Sequence, residues 1–283
     1  HRDLHSFPTR RSSDLFTNTT GNDYTLSGNT LTANGTLAVT GSGDVTIASA
    51  LIIKDTLAVG GSGNTTVQGA ISGPGVVAKT GTGTLTLSGA NSYSGGTTAD
   101  GGTVTGTTNT AFGTGPITLG ATGDDVALYL GNRADITNAI TVDGGGDGTV
   151  VIGADNTGSG ADAATIGGTL TLNRPTTLSG EVVADRLAMN GRITGPVGTL
   201  TVDGGARTTF LSAANDFVGD LVITGTGTVL QSGVGSPDET IPDGTNVTVE
   251  TGAIFQLALT LNGSETISGL NGDGTIRTYP TGS

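Results

Sequence analysis

Two adjacent carboxylates, Asp124 and Asp125, and an acidic loop, Asp143-Gly144-Gly145-Gly146-Asp147-Gly148, are the parts of this chain whose types and spacing invite a chemical reading. A carboxylate pair flanking a glycosidic bond can hydrolyse it, one group protonating the leaving oxygen while the other activates water or attacks the sugar. Closely spaced aspartates in a glycine loop are also raw material for a calcium site. Neither set is complete. The acidic loop lacks the tandem G-G-x-G-x-D spacing of a calcium-binding roll, and Asn271-Gly272-Asp273-Gly274 lacks the later glutamate of a helix–loop–helix calcium site. Both read as plain turns. There is no cysteine, which removes disulfides, thiolate metal ligands and thiol nucleophiles together, and the only histidines are His1 and His5. A serine nucleophile therefore has no imidazole base outside the first few residues. No G-x-x-x-x-G-K-[ST] phosphate loop occurs, and no Arg-Gly-Asp triplet. The sequence assigns no catalytic, cofactor-binding or metal-ligating residue, and the chain is expected not to be an enzyme.

The first fifteen residues, HRDLHSFPTRRSSDL, differ from everything that follows, with Arg2, Arg10 and Arg11, both histidines and no strand-like alternation. Ser6 to Leu15 is what the end of a common short-read sequencing adapter encodes in one frame. Residues 1–15 are therefore read as a non-native, adapter-derived tail, and 16–283 as the protein proper. On that reading the native sequence starts inside a gene, and the lack of a leader says nothing about destination.

The whole chain carries 11 Lys+Arg against 24 Asp+Glu, a net charge of −13. Such a polyanion repels phosphate backbones and anionic lipid, so nucleic-acid binding and electrostatic membrane attachment are both disfavoured. No run is long and apolar enough for a spanning helix, and membrane insertion by this segment is not expected. Glycine, 51 of 283 residues, is far above usual abundance, which would signal low complexity were it not periodic. Between the glycines lie short runs such as Thr84 to Leu87, Thr199 to Val202 and Val247 to Val249, in which apolar residues alternate with threonine. That is the pattern of a strand with one buried face. Gly81, Gly83, Leu85, Leu87, Gly89, Asn91, Tyr93, Gly95 and Thr97 form a skeleton of alternate residues, and Asn215, Phe217 and Gly219 echo its second half. A unit that recurs without being copied marks a stack of repeats.

The skeleton resembles the passenger-associated repeat of autotransporters, large proteins that Gram-negative bacteria export to their surface. That repeat reads roughly G-x-L-x-K-x-G-x-G-x-L-x-L-x-G-x-N-x-Y-x-G-x-T, and Gly75, Val77, Lys79, Gly81, Gly83, Leu85, Leu87, Gly89, Asn91, Tyr93, Gly95 and Thr97 occupy its places. Ala111 to Leu119, Ala127 to Leu130 and Ile136 to Val142 are similar to its usual continuation. A weaker copy runs from Ala214 to Thr224 and leads to Ala253 to Leu257 and to Glu265 to Ile276, similar to the segment that closes such units. The units cover about residues 73–146 and 200–276. The resemblance implies a surface-exposed or secreted passenger, serving as stalk and secretion aid, followed in the full gene by its own C-terminal outer-membrane β-barrel.

The expected fold is all-β, a single-stranded right-handed parallel β-helix over residues 16–283. Coils of roughly 20 to 25 residues, stacked about 4.8 Å apart, would number about a dozen in a rod of roughly 50 to 60 Å. Leu85, Leu87, Ile117, Leu119, Leu128, Leu130, Ile140 and Val142 are the expected core, with glycine and asparagine at the corners. Asn91 and Tyr93 are read first as corner and packing residues, and only second as ligand contacts. Two other functions stay open: an adhesin whose side face or loops bind glycans or proteins of a host or neighbouring cell, and a polysaccharide-degrading β-helix enzyme. Pectin-cleaving enzymes of the hydrolase kind also carry Gly-His-Gly and Arg-x-Lys, both missing here, and a lyase would need an arginine or lysine base, for which Arg133 and Arg192 are isolated in sequence. Aromatic residues are only 4%, sparse for a sugar-binding platform.

Overall fold

A computed structural model describes residues 2–5, 14–18, 22–34, 37–131, 133–155, 163–180, 186–210, 214–232, 240–257 and 264–278. Among the described residues there is no helix, and every strand pairing is parallel. Parallel strands stacked coil on coil make a β-solenoid. The chain divides into two compact units, His1–Tyr129 with Gly145–Gly148, and Leu130–Gly144 with Thr149–Ser283.

In the first unit each coil visits up to three sheets. The largest stacks Tyr24–Ser27, Val45–Ile47, Thr65–Val67, Thr84–Leu87 and Gly102–Gly106. The second stacks Leu37–Gly41, Thr56–Val59, Val76–Lys79, Thr97–Ala99 and Ile117–Leu119. A short third sheet holds Leu31–Ala33, Leu51–Ile53 and Ile71–Ser72. In the second sheet partners from Leu37 onward stand 20 residues apart, as in Leu57, Val77, Thr97 and Ile117, and in the largest sheet 19 to 21 apart. Two strands fall in or across the segment set aside in the sequence: Arg2–His5 pairs with Tyr24–Ser27, and Asp14–Asn18 with Leu37–Gly41.

This register follows from the alternation. Leu85 and Leu87 are fully buried, whereas Thr84 and Thr86 between them are partly exposed, because strand side chains point to opposite faces with period two. Stacking repeats the choice in every coil, so Thr25, Thr46, Thr66, Thr86 and Thr105 form an outward ladder while Val45, Ile47, Val67, Leu85 and Leu87 fill the interior. Each fully buried Leu, Ile or Val contributes about 1.5–3 kcal/mol relative to exposure. The other expected core residues, Ile117, Leu119, Leu128, Leu130, Ile140 and Val142, are likewise at 0% exposure. At the corner before the largest sheet, Gly61 and Gly81 stack with φ of 87° and 72°, and a Cβ on either would land on the carbonyl of the glycine one coil below. Only glycine tolerates both the left-handed backbone and that approach.

The second unit repeats the scheme with longer, uneven coils. One sheet stacks Val150–Asp155, Thr176–Gly180, Gly198–Asp203, Gly219–Ile223, Asn246–Val249 and Gly269–Asn271. Another stacks Asp135–Ile136, Ala164–Ile166, Arg186–Met189, Arg207–Phe210, Val229–Ser232, Ile254–Leu257 and Thr275–Thr278. Ile140–Val142, Leu170–Leu172 and Ile193–Thr194 make a third. Hydrogen-bonded residues of adjacent coils are 22 apart at Ile193 and Asn215, 25 at Asn215 and Thr240, and 31 at Val142 and Asn173. The last exceeds the expected coil length. The strand register is kept across this step, Ile140, Thr141 and Val142 standing opposite Leu170, Thr171 and Leu172.

Candidate functional site

The most unusual chemistry of the first unit lies inside the coil that carries the skeleton. Three of its inward positions are polar where neighbouring coils are aliphatic. Leu31, Leu51 and Ile71 are stacked partners in the short third sheet. One coil further on, Asn91 is 4% exposed, and its Oδ1 accepts from the Ile71 N–H at 2.8 Å. Its Nδ2 donates to the Ala111 carbonyl at 2.6 Å, 20 residues ahead. Three coils are thus joined through one side-chain amide, at the level where the third sheet has no further strand. An asparagine suits this because it offers acceptor and donors at once.

Tyr93 and Thr97 form the second polar element. Both are buried, and their hydroxyls meet at 2.6 Å, which satisfies each inside an otherwise apolar interior. Burial raises the Tyr93 phenol well above its usual pKa, only partly offset by the bond to Thr97. Room for the ring comes from Gly113, where a Cβ would stand 3.0 Å from the ring carbons. Thr97 itself replaces an aliphatic in the column Leu57, Val77, Thr97, Ile117.

Lys79 is the third. It stands between Val59 and Ala99, points inward and is 1% exposed. Its Nζ donates to the carbonyls of Thr80 and Gly81, each at 2.8 Å, and of Gly101 at 3.1 Å. Burial pulls its pKa down to about 8. The ammonium is thereby a corner clamp, and the small Ala99 and Gly102 leave it space. The remaining skeleton residues are spacers: a Cβ on Gly83, Gly89 or Gly95 would strike the carbonyl of Gly63, Gly69 or Gly75 one coil below.

The weaker copy repeats part of this geometry in the second unit. Asn215 Oδ1 accepts from the Ile193 N–H at 2.7 Å and its Nδ2 donates to the Thr240 carbonyl at 2.8 Å, the same two-sided bridge. Phe217, 2% exposed, stands where Tyr93 stands and has no hydroxyl to satisfy. Gly219 again lies over a backbone, that of Gly198. One coil beyond Thr240, the Glu265 carboxylate accepts from the Ile241 N–H at 2.6 Å, the Thr240 N–H at 3.1 Å and the Ser232 hydroxyl at 2.5 Å. Sequence reasoning placed Glu265 only at the start of a closing segment, and it missed the inward turn of Lys79. The signal for Lys79 was its parity with Val77.

The acidic residues weighed for catalysis or calcium sit elsewhere. Asp124, Asp125 and Asp147 are exposed at corners of the first unit. Among the described residues no three or more His, Cys, Asp or Glu are grouped to hold a metal. Arg192, weighed as a base, is engaged by Asp216, its Nε donating to Oδ1 at 2.9 Å. In the skeleton, Asn91 and Lys79 turn their polar groups on backbone N–H and carbonyl groups, and Tyr93 and Thr97 turn theirs on each other.

A family model, the passenger-associated-transport-repeat, matches residues 77–105. No curated protein and no solved structure matches the chain. The matched stretch begins one residue into the strand that bears Lys79 and ends within Gly102–Gly106, so it contains the whole polar coil. Repeat and parallel solenoid together fit an autotransporter passenger domain. Such a repeat implies linkage to a C-terminal outer-membrane translocator, and the family suggests an extracellular or cell-surface location.

Proposed function

We propose that this chain is a stalk segment of the passenger, holding material away from the outer membrane and helping secretion by folding coil by coil once outside. The single observation that carries this reading is the polar coil under the family match. Asn91 spends its hydrogen bonds on the coils below and above, Lys79 reaches the Gly101 carbonyl of the next coil, and Tyr93 and Thr97 satisfy each other inside their own coil, which is what a load-transmitting stack needs and what a solvent-facing reactive site does not use. Residues 1–15 remain in this proposal an adapter-derived tail, since the strands Arg2–His5 and Asp14–Asn18 stand at the outer ends of their sheets, where the backbone of an extended segment can pair.

The test uses the purified chain on acidic and neutral polysaccharides, following reducing ends, unsaturated products and equilibrium binding together. A stalk gives neither turnover nor saturable binding. Product release abolished by Asp124→Ala and Asp125→Ala would replace the stalk with an enzyme. Saturable binding without turnover would replace it with an adhesin.

A further inference from the structure

Arg174 is 7% exposed, and its Nε, Nη1 and Nη2 find no hydrogen-bond partner among the described residues. It continues an inward alternation of buried residues, Leu172, Arg174, Thr176 and Leu178, at the corner between Leu170–Leu172 and Thr176–Gly180. Its main chain is occupied, the carbonyl accepting from Thr176 Oγ1 at 3.0 Å, but its charge is not. A guanidinium keeps its charge inside a protein, so the charge needs a counterpart there. An unpaired buried charge is among the most destabilising features a fold can carry. Lys79 shows the ordinary solution, three corner carbonyls gathered round the cation. Arg174 has no such set.

We propose that the corner beside Arg174 binds a monovalent inorganic anion of halide size, chloride in ordinary media, as counter-charge to the guanidinium. The surroundings select for size and valence. Leu172 and, in the next coil, Val197 and Leu200 are fully buried and apolar, so they offer no donors to the oxygens of a sulfate or phosphate. One guanidinium would leave a divalent anion half compensated, whereas a halide asks only for N–H donors. The chain's net charge of −13 opposes anion uptake in general, so an anion that does bind reports a local site.

The experiment follows the thermal midpoint of the whole chain at fixed ionic strength while sodium gluconate is exchanged for sodium chloride, for the parent and for Arg174→Met. Fixed ionic strength matters because screening alone stabilises so acidic a chain. The parent midpoint should climb along a saturating curve by a few °C, with bromide equivalent and sulfate inert. Arg174→Met should be flat and should start above the parent in gluconate, having lost an uncompensated charge. A flat parent curve would mean that water solvates the guanidinium, and an equal response in Arg174→Met would put chloride elsewhere; either overturns the site. Should Arg174→Met fail to fold, bromide soaked into crystals of the parent decides by its anomalous signal. A peak within hydrogen-bond reach of Arg174 supports the site, and peaks at the surface alone overturn it.

Discussion

Replacing Asn91 with leucine restores the aliphatic column of Leu31, Leu51 and Ile71 while removing the amide that joins three coils. On area alone the change should stabilise, since it exchanges a buried polar side chain for an apolar one of similar size. The backbone decides otherwise. Leucine leaves the Ile71 N–H and the Ala111 carbonyl without partners in an interior where Asn91 is 4% exposed, and water has little access. Each orphaned group costs about 1–3 kcal/mol and the apolar gain returns about 1.5–3 kcal/mol, so a net loss of about 1–4 kcal/mol is expected. Asn215→Leu provides an internal replicate with the same two bonds, but Asn215 is partly exposed and water can reach its partners, so about 1–2 kcal/mol is expected there. Urea unfolding gives the totals, and native-state amide exchange of Ile71 gives the local effect, which matters because a stack of coils need not unfold in one step. Asn91→Leu as stable as the parent, with Ile71 still protected, would refute the argument that the amide is structural.

The core register predicts that Leu87→Ala loses about 2–5 kcal/mol while Thr86→Ala is nearly neutral, and equal losses by urea unfolding would overturn it. The buried Lys79 and Tyr93 give a pH profile with a maximum. The Lys79 pKa is lowered from 10.5 to about 8 on folding, so its contribution rises with pH between those values and is lost as pH falls through 8. The Tyr93 phenol is raised above its ordinary 10, so its contribution is complete below pH 10 and is lost as pH climbs above it. Thermal midpoints from pH 7 to 11 should therefore peak near pH 10. Lys79→Met should abolish the rising limb and Tyr93→Phe should soften the falling one; a monotonic profile in the parent would sink both.

What the sequence disclosed was whatever alternation and stacking dictate. Leu85, Leu87, Ile117 and Leu119 could be placed inside because strand parity is local, and the parallel pairing followed from the skeleton because a repeat too small to bury its own face has to stack. A further signal was in view at shorter range: TLAVTGSGDVTI at 36–47, TLAVGGSGNTTV at 56–67 and VVAKTGTGTLTL at 76–87 recur at the coil spacing of the first unit. The partners of Asn91 and Glu265, and the Gly101 carbonyl that Lys79 reaches, were not legible, since each lies a coil away and depends on how the corners are folded. The 31-residue step between Val142 and Asn173 was not legible either, because it departs from the coil spacing that the repeats set.

The departures from pattern in the matched coil nonetheless have a common physical sense. A stack made only of aliphatic columns gains nearly the same burial from any neighbouring coil, so burial says little about which coil belongs where. Polar groups in the interior change that, because an amide, an ammonium or a phenol is costly unless its particular partner is present. Asn91 requires the Ile71 N–H below and the Ala111 carbonyl above, Lys79 requires the Gly101 carbonyl, and the Tyr93 ring requires the glycine at 113. Together the conditions are met only when coils 71–79, 91–102 and 111–113 are all in place. The family match, 77–105, falls where the first unit's interior is least interchangeable.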